Sequence, residues 1–257
     1  MRKVLRREGN DAYWDRRWAE TGRDPDDFTD LGIYPIRYAE LVMREPGRAL
    51  EIGCGLGRVL KHYHRRGWHI DGVERSEVAV ARLREEDASY RVQVADVRSL
   101  PFPDGYFDVV LAFGVYHNLE DGLTDALHET ARCLRPGGRF CISMRPDNVE
   151  MRLNEWYWRL KHRDRQGPRT FHKWLVGERE FSGMLRDVGL RVEHVHRARN
   201  VSLLYRVPWL RASARDETER RGGGYRLNLA GRLLDRALMR WFAKQSCNVA
   251  VFIGVRP

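Results

Sequence analysis

The stretch Ala49-Leu-Glu-Ile-Gly-Cys-Gly-Leu-Gly-Arg58 determines the fold of this 257-residue chain. An apolar strand that contains Glu51 runs into three closely spaced glycines, Gly53, Gly55 and Gly57, and then into a helix. Because glycine lacks a Cβ, the main chain can turn sharply there and a ligand can approach it closely. The spacing is G-x-G-x-G, whereas a dinucleotide-binding turn has G-x-G-x-x-G before a helix that faces a pyrophosphate. Glu51 also fits a cationic ligand better than a pyrophosphate, so we infer a ligand without phosphate. An ordinary tight β-α connection would show the same glycines.

The next two predicted strands also end in acidic residues. The strand at 68–73 leads into Glu74, where a carboxylate can accept hydrogen bonds from ribose hydroxyls. The strand at 91–95 leads into Asp96, whose carboxylate is a candidate partner for an adenine amino group. Each carboxylate alone fits a solvated loop or a helix cap better, but together they indicate a nucleoside site.

Strands and helices alternate along this part of the chain. The pattern predicts a fourth strand at 106–113, a helix at about 122–134 and a fifth strand at 139–144. Such alternation predicts a doubly wound parallel sheet. In these sheets ligands bind beyond the carboxyl ends of the strands, which is where the acidic residues fall.

Three segments resemble the class I S-adenosylmethionine (SAM)-dependent methyltransferases, in particular the type 11-like group that acts on small molecules and lipids. LEIGCGLG at 50–57, LPFPDGYFDVV at 100–110 and LRPGGRF at 134–140 follow one another as in that family. The resemblance covers roughly residues 48–145. It implies an α/β, Rossmann-like sheet of seven strands whose last strand is antiparallel, with SAM as cofactor, S-adenosylhomocysteine (SAH) as product, and no metal.

The resemblance also implies which residues contact the cofactor. Glu51 and the glycine turn would contact the methionine moiety, and Glu74 would contact the ribose. Asp96 and Val97 would contact the adenine. Two further residues complete this predicted set, namely Arg75 and Phe113.

An aromatic pair near the N-terminus adds a further candidate contact. Trp14 and Trp18 are one helical turn apart and resemble the W-x-x-x-W element with which thiopurine-type methyltransferases cover the cofactor. Cation-π contact between Trp14 and a sulfonium is physically reasonable. The alternative is a pair of core aromatics that anchor an N-terminal helix.

The candidate catalytic residues follow the fourth strand, in a loop at 114–119 that lies beside the sulfonium in the resembled fold. A methyl sulfonium is already reactive, so catalysis needs placement of the acceptor and, where the acceptor bears a proton, a base. His117 is the candidate base, with Tyr116 and Asn118 as positioning groups, and a structural role for His117 is the alternative. His172 is a second candidate, on a predicted loop that could close over the acceptor.

The acceptor is limited by motifs that the sequence lacks. No N-P-P-[YFW] motif follows the fourth strand, which disfavours methylation of adenine N6 or glutamine. The Pro-Cys pair of cytosine C5 methyltransferases is also missing there, which disfavours transfer to cytosine C5. An oxygen, nitrogen or activated carbon atom of a small-molecule, lipid-linked or glycan acceptor remains. Two alternatives stay open: an RNA methyltransferase that uses a basic tail, and a catalytically inactive SAM-binding regulatory protein.

Composition predicts a cytoplasmic protein. The chain is 42% hydrophobic but has no apolar run near 18 residues, and its basic N-terminus lacks the apolar stretch of a signal peptide. Its four cysteines are scattered without a C-x-x-C pair, which predicts buried thiols rather than zinc ligands or disulfides. The sequence leaves the oligomeric state open.

The net charge of +10 is concentrated near the C-terminus. Residues 197–257 contain 13 Arg and Lys against four Asp and Glu, so the rest of the chain is nearly neutral. We divide the chain into an N-terminal helical cap (1–45), a SAM-binding core (46–196), a basic amphipathic insertion or lid (197–247) and the last core strand (248–257).

The insertion contains a predicted amphipathic helix at 226–244, after a polar loop with Gly222–Gly224. One face carries Leu227, Ala230, Leu234, Leu238 and Trp241, and its flank carries Arg232, Arg236, Arg240 and Lys244. This pattern is typical of a helix that lies on a membrane surface. A helix packed on the sheet edge with solvated arginines is the alternative. We hypothesise that the insertion covers the acceptor pocket and contacts an anionic lipid or acceptor, with peripheral membrane association.

Overall fold

The computed structural model describes residues 1–6, 10–20, 34–161, 168–198, 201–212 and 227–257. The strands are β1 Arg2–Arg6, β2 Arg48–Ile52, β3 His69–Glu74, β4 Arg91–Val94, β5 Phe107–Ala112, β6 Leu134–Met144, β7 Thr170–Leu175, β8 Arg191–Ala198 and β9 Val249–Val255. The helices are α1 Asn10–Glu20, α2 Ile36–Ala39, α3 Arg58–His64, α4 Glu77–Glu86, α5 Leu123–Cys133, α6 Val149–Lys161, α7 Glu178–Asp187, α8 Leu229–Trp241 and α9 Ala243–Ser246.

The main sheet has seven strands in the order β4-β3-β2-β5-β6-β9-β8. The pairs from β4 to β6 are parallel, and β9 is antiparallel to both of its neighbours. This confirms the predicted doubly wound sheet with an antiparallel last strand. Chain order reverses at β2, which lies between β3 and β5, and such a switch point opens a crevice at the carboxyl ends of the central strands.

Helices bury apolar side chains against both faces of this sheet. α3 and α4 bury Leu60 and Leu83 on one face, while α5 and α7 bury Leu127, Phe181 and Leu185 on the other. Phe181 and Leu185 of α7 are both fully buried. The two layers of helices therefore hold the sheet rigid beneath the crevice.

The N-terminal segment is not the wholly helical cap predicted for 1–45. β1 pairs antiparallel with β7 in a separate two-stranded sheet, with Arg2 opposite Leu175. Val4 packs between Met151 and Leu175, and its neighbours in β1 are less buried. This alternation suits a strand rather than a helix.

The insertion is present, with bounds that differ from the predicted 197–247. Two 3₁₀ turns, Ser202–Arg206 and Pro208–Leu210, occupy its apolar stretch. α8 is shorter at both ends than the helix predicted at 226–244. The predicted Gly222–Gly224 loop lies outside the described residues.

The face of α8 that packs inward differs in part from the predicted one. Leu227 and Leu238 pack in a cluster with residues of the 3₁₀ turns, whereas Leu234 and Trp241 are exposed. Gly231 explains this rotation, because a Cβ at this position would lie 2.5 Å from the carbonyl oxygen of Leu210. Only glycine allows the helix to approach the turn so closely.

Candidate functional site

A cavity of about 890 Å³ opens at the carboxyl edge of the main sheet. This volume lies within the range of about 300–1,000 Å³ that is usual for ligand pockets. The strand order sets the sequence of side chains along it: Asp96 follows β4, Glu74 ends β3, the glycine turn follows β2, His117 follows β5 and Arg145 follows β6. Five strands at about 4.8 Å spacing give this edge a length of about 19 Å.

The glycine turn leaves the cavity open next to the main chain. Gly53 and Gly55 have φ values of +66° and +53°, in the left-handed region that side chains disfavour. A Cβ on Gly53 would lie 2.3 Å from the Val115 side chain, and one on Gly55 would lie 2.9 Å from the ring of Trp18. Gly57 was predicted to contact the cofactor, but it does not line the cavity. It lies directly before α3, and a Cβ there would face Leu83 of α4.

Glu51 is a buried carboxylate at the centre of this edge. Its Oε2 accepts a hydrogen bond of 2.8 Å from the backbone N–H of Leu60. Burial raises the pKa of Glu51 to about 8, against an ordinary value of 4.5, and the bond from Leu60 opposes this shift only in part. A cationic ligand beside Glu51 would favour its ionised form, so the predicted contact with the methionine ammonium is chemically consistent.

Glu74 holds the glycine turn while it lines the cavity. Its Oε2 accepts a hydrogen bond of 3.0 Å from the backbone N–H of Gly55. Its Oε1 accepts bonds from the N–H groups of Arg75 and Ser76 at 2.9 and 3.1 Å. The carboxylate is therefore fixed in orientation at the position predicted for a ribose ligand.

The remaining predicted cofactor residues lie along the same edge. Asp96 accepts a bond from Arg98, which lowers the pKa of its carboxyl and keeps it ionised. Val97, next to Asp96, is buried and lines the cavity. Arg75 also lines the cavity. Phe113 also lines the cavity, with its ring edge-on to Tyr34 at a centroid distance of 5.7 Å.

The aromatic pair of α1 lies over the glycine turn. The rings of Trp14 and Trp18 are stacked at a centroid distance of 5.2 Å, and both line the cavity. A guanidinium N–H of Arg82 donates to the backbone carbonyl of Trp18 and ties α1 to α4. The two rings line the cavity and are not enclosed in a core, which is consistent with the predicted cofactor contact of Trp14.

His117 lies in a 3₁₀ turn, Tyr116–Asn118, directly after β5. Its side chain is 7% exposed and lines the cavity, and its Nδ1 has no hydrogen-bond partner among the described residues. Burial lowers the pKa of His117 well below its usual value, and the charges of Arg145 and Lys173 add to this shift. The imidazole is therefore neutral, with a lone pair available to accept a proton.

Tyr116 does not belong to the site, contrary to the prediction. Its ring is fully buried in the core, and its hydroxyl lies 2.5 Å from Oγ1 of Thr130 on α5. The 3₁₀ turn sends adjacent side chains in different directions, so that only one of Tyr116 and His117 can face the cavity. Asn118 lines the cavity, and its amide donates to the carbonyl of Gly114 at 2.6 Å, which closes the turn.

His172 lines the cavity but lies on strand β7 rather than on a loop. Its ring is edge-on to Tyr13 at a centroid distance of 6.3 Å. Burial, with the nearby charges of Arg6, Lys173 and Arg145, lowers its pKa to about 2. Pairing with β1 fixes this segment, so it cannot close over an acceptor as a free loop would.

The cationic residues of the cavity that sequence reasoning missed include Arg145 and Lys173. Arg145 directly follows β6, and a search for polar residues after every strand could have found it. Lys173 lies on β7, with its Nζ 2.8 Å from Oε1 of Glu155 on α6. Burial lowers the pKa of Lys173 to about 8, although Glu155 opposes this shift. No local pattern marks Lys173, because its position depends on the pairing of β1 with β7.

Fold and site together define a SAM-dependent enzyme. A doubly wound sheet presents a glycine turn that tolerates no Cβ, and carboxylates at the carboxyl ends of three neighbouring strands. These groups fit the methionine, ribose and adenine parts of SAM in the order in which they occur along the edge.

Comparison with known proteins gives the family. A family model described as a methyltransferase domain matches residues 50–142. The chain is 30% identical over 225 residues to 27-O-demethylrifamycin SV methyltransferase of Amycolatopsis mediterranei, an alignment that covers 80% of this chain and 74% of that protein. It is 29% identical over 189 residues to EEF1A lysine methyltransferase 4 of Mus musculus, covering 64% of this chain and 73% of that one. The chain belongs to the class I SAM-dependent methyltransferases.

A solved structure agrees on the fold. A chain of the Haloferax volcanii complex between the Trm112 methyltransferase activator and a methyltransferase superposes with a TM-score of 0.64. The two chains are 19% identical, and the superposition covers 99% of this chain and 100% of the other. At this identity the similarity shows the fold alone.

Proposed function

We propose that the enzyme transfers the methyl group of SAM to an oxygen, nitrogen or activated carbon atom of a small-molecule acceptor, which can be lipid-linked or a glycan, and that the acceptor carries an acidic group. When bound, SAM supplies a methyl group on a cationic sulfur. The protein then has to place the acceptor in line and to remove a proton where the acceptor bears one.

The distribution of acidic side chains along the cavity supports this proposal, although the cations Arg58 and Arg75 line the cavity beside them. Glu51, Glu74 and Asp96 come from β2, β3 and the end of β4, and we name them the acidic half. His117, Arg145, His172 and Lys173 follow β5 and β6 or lie on β7, and we name them the basic half. The acidic half would hold the methionine, ribose and adenine parts of SAM, so the basic half is left for the acceptor.

Two cations of the basic half line the cavity, Arg145 and Lys173. The carboxylate of Glu155 faces both Lys173 Nζ at 2.8 Å and a guanidinium nitrogen of Arg6 at 3.6 Å. Arg145 donates one N–H to the carbonyl of Asn248 at 2.8 Å. A carboxylate or phosphate on the acceptor would form charge-assisted bonds with such cations.

The same charge would link base strength to binding. His117 would accept the proton of an acceptor O–H or N–H at its free Nδ1, in the tautomer that has the other ring nitrogen protonated. The cations Arg145 and Lys173 weaken this base in the empty site. An acidic acceptor would offset their charges and so raise the pKa of His117, while the larger effect of burial would remain.

The names of the relatives give two acceptor classes. The Amycolatopsis protein is named for a small molecule, and the mouse protein for a lysine of a protein. The first alignment covers more of this chain, which supports a small-molecule acceptor. The experiment must therefore separate these classes.

The test is to incubate the purified protein with methyl-labelled SAM and a fractionated cell extract, and to count label in small-molecule, lipid, RNA and protein pools. Label in small molecules or lipids that anion exchange retains supports the proposal, whereas label only in neutral compounds contradicts the acidic group. Label in RNA or protein would favour those acceptors instead. Tight SAM binding without label in any pool would favour a regulatory protein. The variant Glu74→Ala, which should not bind SAM well, is the negative control.

A further inference from the structure

α8 packs on the rest of the protein through a narrow inner face. Leu238 and Met239 lie in a cluster with Val201, Leu204 and Leu227. Asp235 Oδ1 accepts a bond of 2.8 Å from the backbone N–H of Val201. The acidic side chain of this helix is thus directed inward and used there.

The outer face of α8 combines exposed apolar side chains with cations. Leu229 and Leu233 are 66% and 55% exposed, and Trp241 is 73% exposed where the helix ends. Four cations step along the same helix and into α9, namely Arg232, Arg236, Arg240 and Lys244, and all four are exposed. Within the described residues, none of these four pairs with a carboxylate. Such a face differs from that of a helix whose arginines serve only surface ion pairs.

α6 has an exposed apolar stripe of its own. Val149, Leu153, Trp156 and Leu160 are all about half exposed or more, with Trp156 at 60%. Their spacing places them on one side of the helix. The buried residues of α6, which include Met151 and Glu155, lie on the opposite side. Among the described residues, none of the buried apolar clusters includes a residue of this stripe.

α6 is joined to α9, which follows α8 in the chain, and to the basic half of the cavity. The amide of Asn148, directly before α6, donates to the carbonyls of Lys244 and Cys247 at 3.1 and 2.7 Å, on and directly after α9. On its buried side, α6 supplies Glu155 to Lys173, which lines the cavity. One helix diameter, about 10 Å, thus separates the apolar stripe of α6 from the acceptor end of the site.

We propose that the outer face of α8 (Leu229, Leu233, Trp241 and the four cations) and the apolar stripe of α6 dock on an anionic membrane surface. Leucine and tryptophan side chains enter the boundary between head groups and acyl chains, while the arginines pair with lipid phosphates. The combination of charge and apolar surface indicates a membrane, because the cations require an anionic partner and the leucines require an apolar one. Lipid is the partner that offers both over a surface. In the described part of the chain no helix is long and apolar enough to span a bilayer.

The test is co-sedimentation of the full-length protein with phosphatidylcholine vesicles, with and without phosphatidylglycerol. We expect binding only where phosphatidylglycerol is present, and a loss on the order of 100-fold in partitioning for the variant Arg232→Glu, Arg236→Glu, Arg240→Glu. A control with the same change of charge elsewhere is Arg44→Glu, Arg66→Glu, Arg186→Glu, three exposed arginines outside α6, α8 and α9. This control should keep binding well above that of the α8 variant.

The apolar part is tested separately from the charges. The variants Leu229→Gln, Leu233→Gln, Trp241→Gln on α8 and Leu153→Gln, Trp156→Gln on α6 should each lose the binding that persists at high salt. The exposed pair Leu41→Gln, Val94→Gln is the matched control. Unchanged binding by the α6 variant would remove α6 from the surface. SAH affinity, measured by calorimetry, should be the same for all variants and shows that they fold.

Several outcomes would overturn the proposal. Wild-type protein that stays in the supernatant with phosphatidylglycerol vesicles, or an α8 charge variant that binds like the wild type, would exclude an anionic membrane as the partner. Protein that forms dimers through Leu229 and Trp241 in sedimentation velocity, or that binds RNA instead of vesicles, would assign the surface to that partner. Vesicle binding needs neither acceptor nor methyl transfer, so this result is independent of whether the proposed acceptor is correct.

Discussion

The acidic and basic halves of the cavity are built in different ways. The acidic half comes from three neighbouring β-α turns, where Glu51, Glu74 and Asp96 occupy matching places at strand ends. The basic half joins His117, after β5, to Lys173 on a two-stranded sheet that the N-terminus completes. The proposed cofactor site is thus part of the core fold, whereas the proposed acceptor region depends on added elements. Families of this kind can therefore change acceptor without changing cofactor.

The largest expected effect that tests the difference between the acidic and basic halves is removal of the candidate base, His117. His117→Gln should lower methyl transfer by about 10²–10⁴-fold, because a positioned base contributes this much where the acceptor bears a proton. SAH affinity should change little, since His117 belongs to the basic half. Label transferred to the active extract fraction and calorimetry with SAH measure the two effects.

His172→Gln is the matched control for this variant. His172 lines the same half, but it lies on β7 with its ring packed edge-on against Tyr13. We expect a smaller loss of transfer than for His117→Gln. Equal losses would show that the basic half acts through its shape rather than through one base, and full activity of His117→Gln would remove the base from the mechanism.

The next largest effect is expected in the acidic half. Glu74→Ala removes the predicted ribose ligand and the acceptor of the Gly55 N–H. Loss of two bonds to a charged group should weaken SAH binding on the order of 100-fold or more. Glu77→Ala, an exposed neighbour that also lines the cavity, should bind SAH like the wild type. If Glu74→Ala kept its affinity for SAH, the assignment of the acidic half would be wrong.

The acidic half could be predicted from sequence because its determinants are local. Each carboxylate lies within a few residues of the strand that positions it, and periodicity and glycine spacing identify those strands. Parallel strands then bring their carboxyl ends to one edge without further information. Glu51, Glu74 and Asp96 all line the cavity for this reason.

The basic half could not be predicted in the same way, because its geometry depends on contacts between distant segments. Whether Tyr116 or His117 faces the cavity is decided by a 3₁₀ turn whose direction is set by the packing of Tyr116 on Thr130. Lys173 reaches the site because β7 pairs with β1, about 170 residues earlier. In α8 the predicted period was correct, but close packing at Gly231 set the rotation of the helix.

A smaller effect is expected at Glu51, where a substitution should raise stability but weaken SAH binding. At neutral pH the folded protein holds Glu51 protonated, with a pKa of about 8, while in the unfolded chain this group is ionised above its ordinary pKa of 4.5. Folding then takes up a proton, so the contribution of Glu51 to stability falls as pH rises from about 4.5 to about 8. Glu51→Gln should therefore raise the Tm of the cofactor-free protein, more at about pH 8 than at about pH 5.

The same variant should weaken SAH binding about tenfold, because an amide cannot pair with the methionine ammonium as a carboxylate does. Calorimetry in buffers of different ionisation enthalpy should also show that wild-type protein releases a proton on binding near pH 7, whereas Glu51→Gln releases none from this position. Stabilisation without loss of affinity would mean that Glu51 serves the fold and not the cofactor.

The smallest effect is expected at Gly57, and it defines where the acidic half ends. Gly57 has φ +74° but faces Leu83 rather than the cavity, and a Cβ there would lie 2.8 Å from the Leu83 side chain. Gly57→Ala should lower the free energy of unfolding by about 1–2 kcal/mol through the left-handed backbone, while SAH affinity stays close to wild type. Gly55→Ala should weaken SAH binding as well, because its Cβ would point at Trp18 over the ligand. Urea unfolding and SAH titration of the two variants separate the roles, and equal loss of SAH affinity would place Gly57 in the binding site after all.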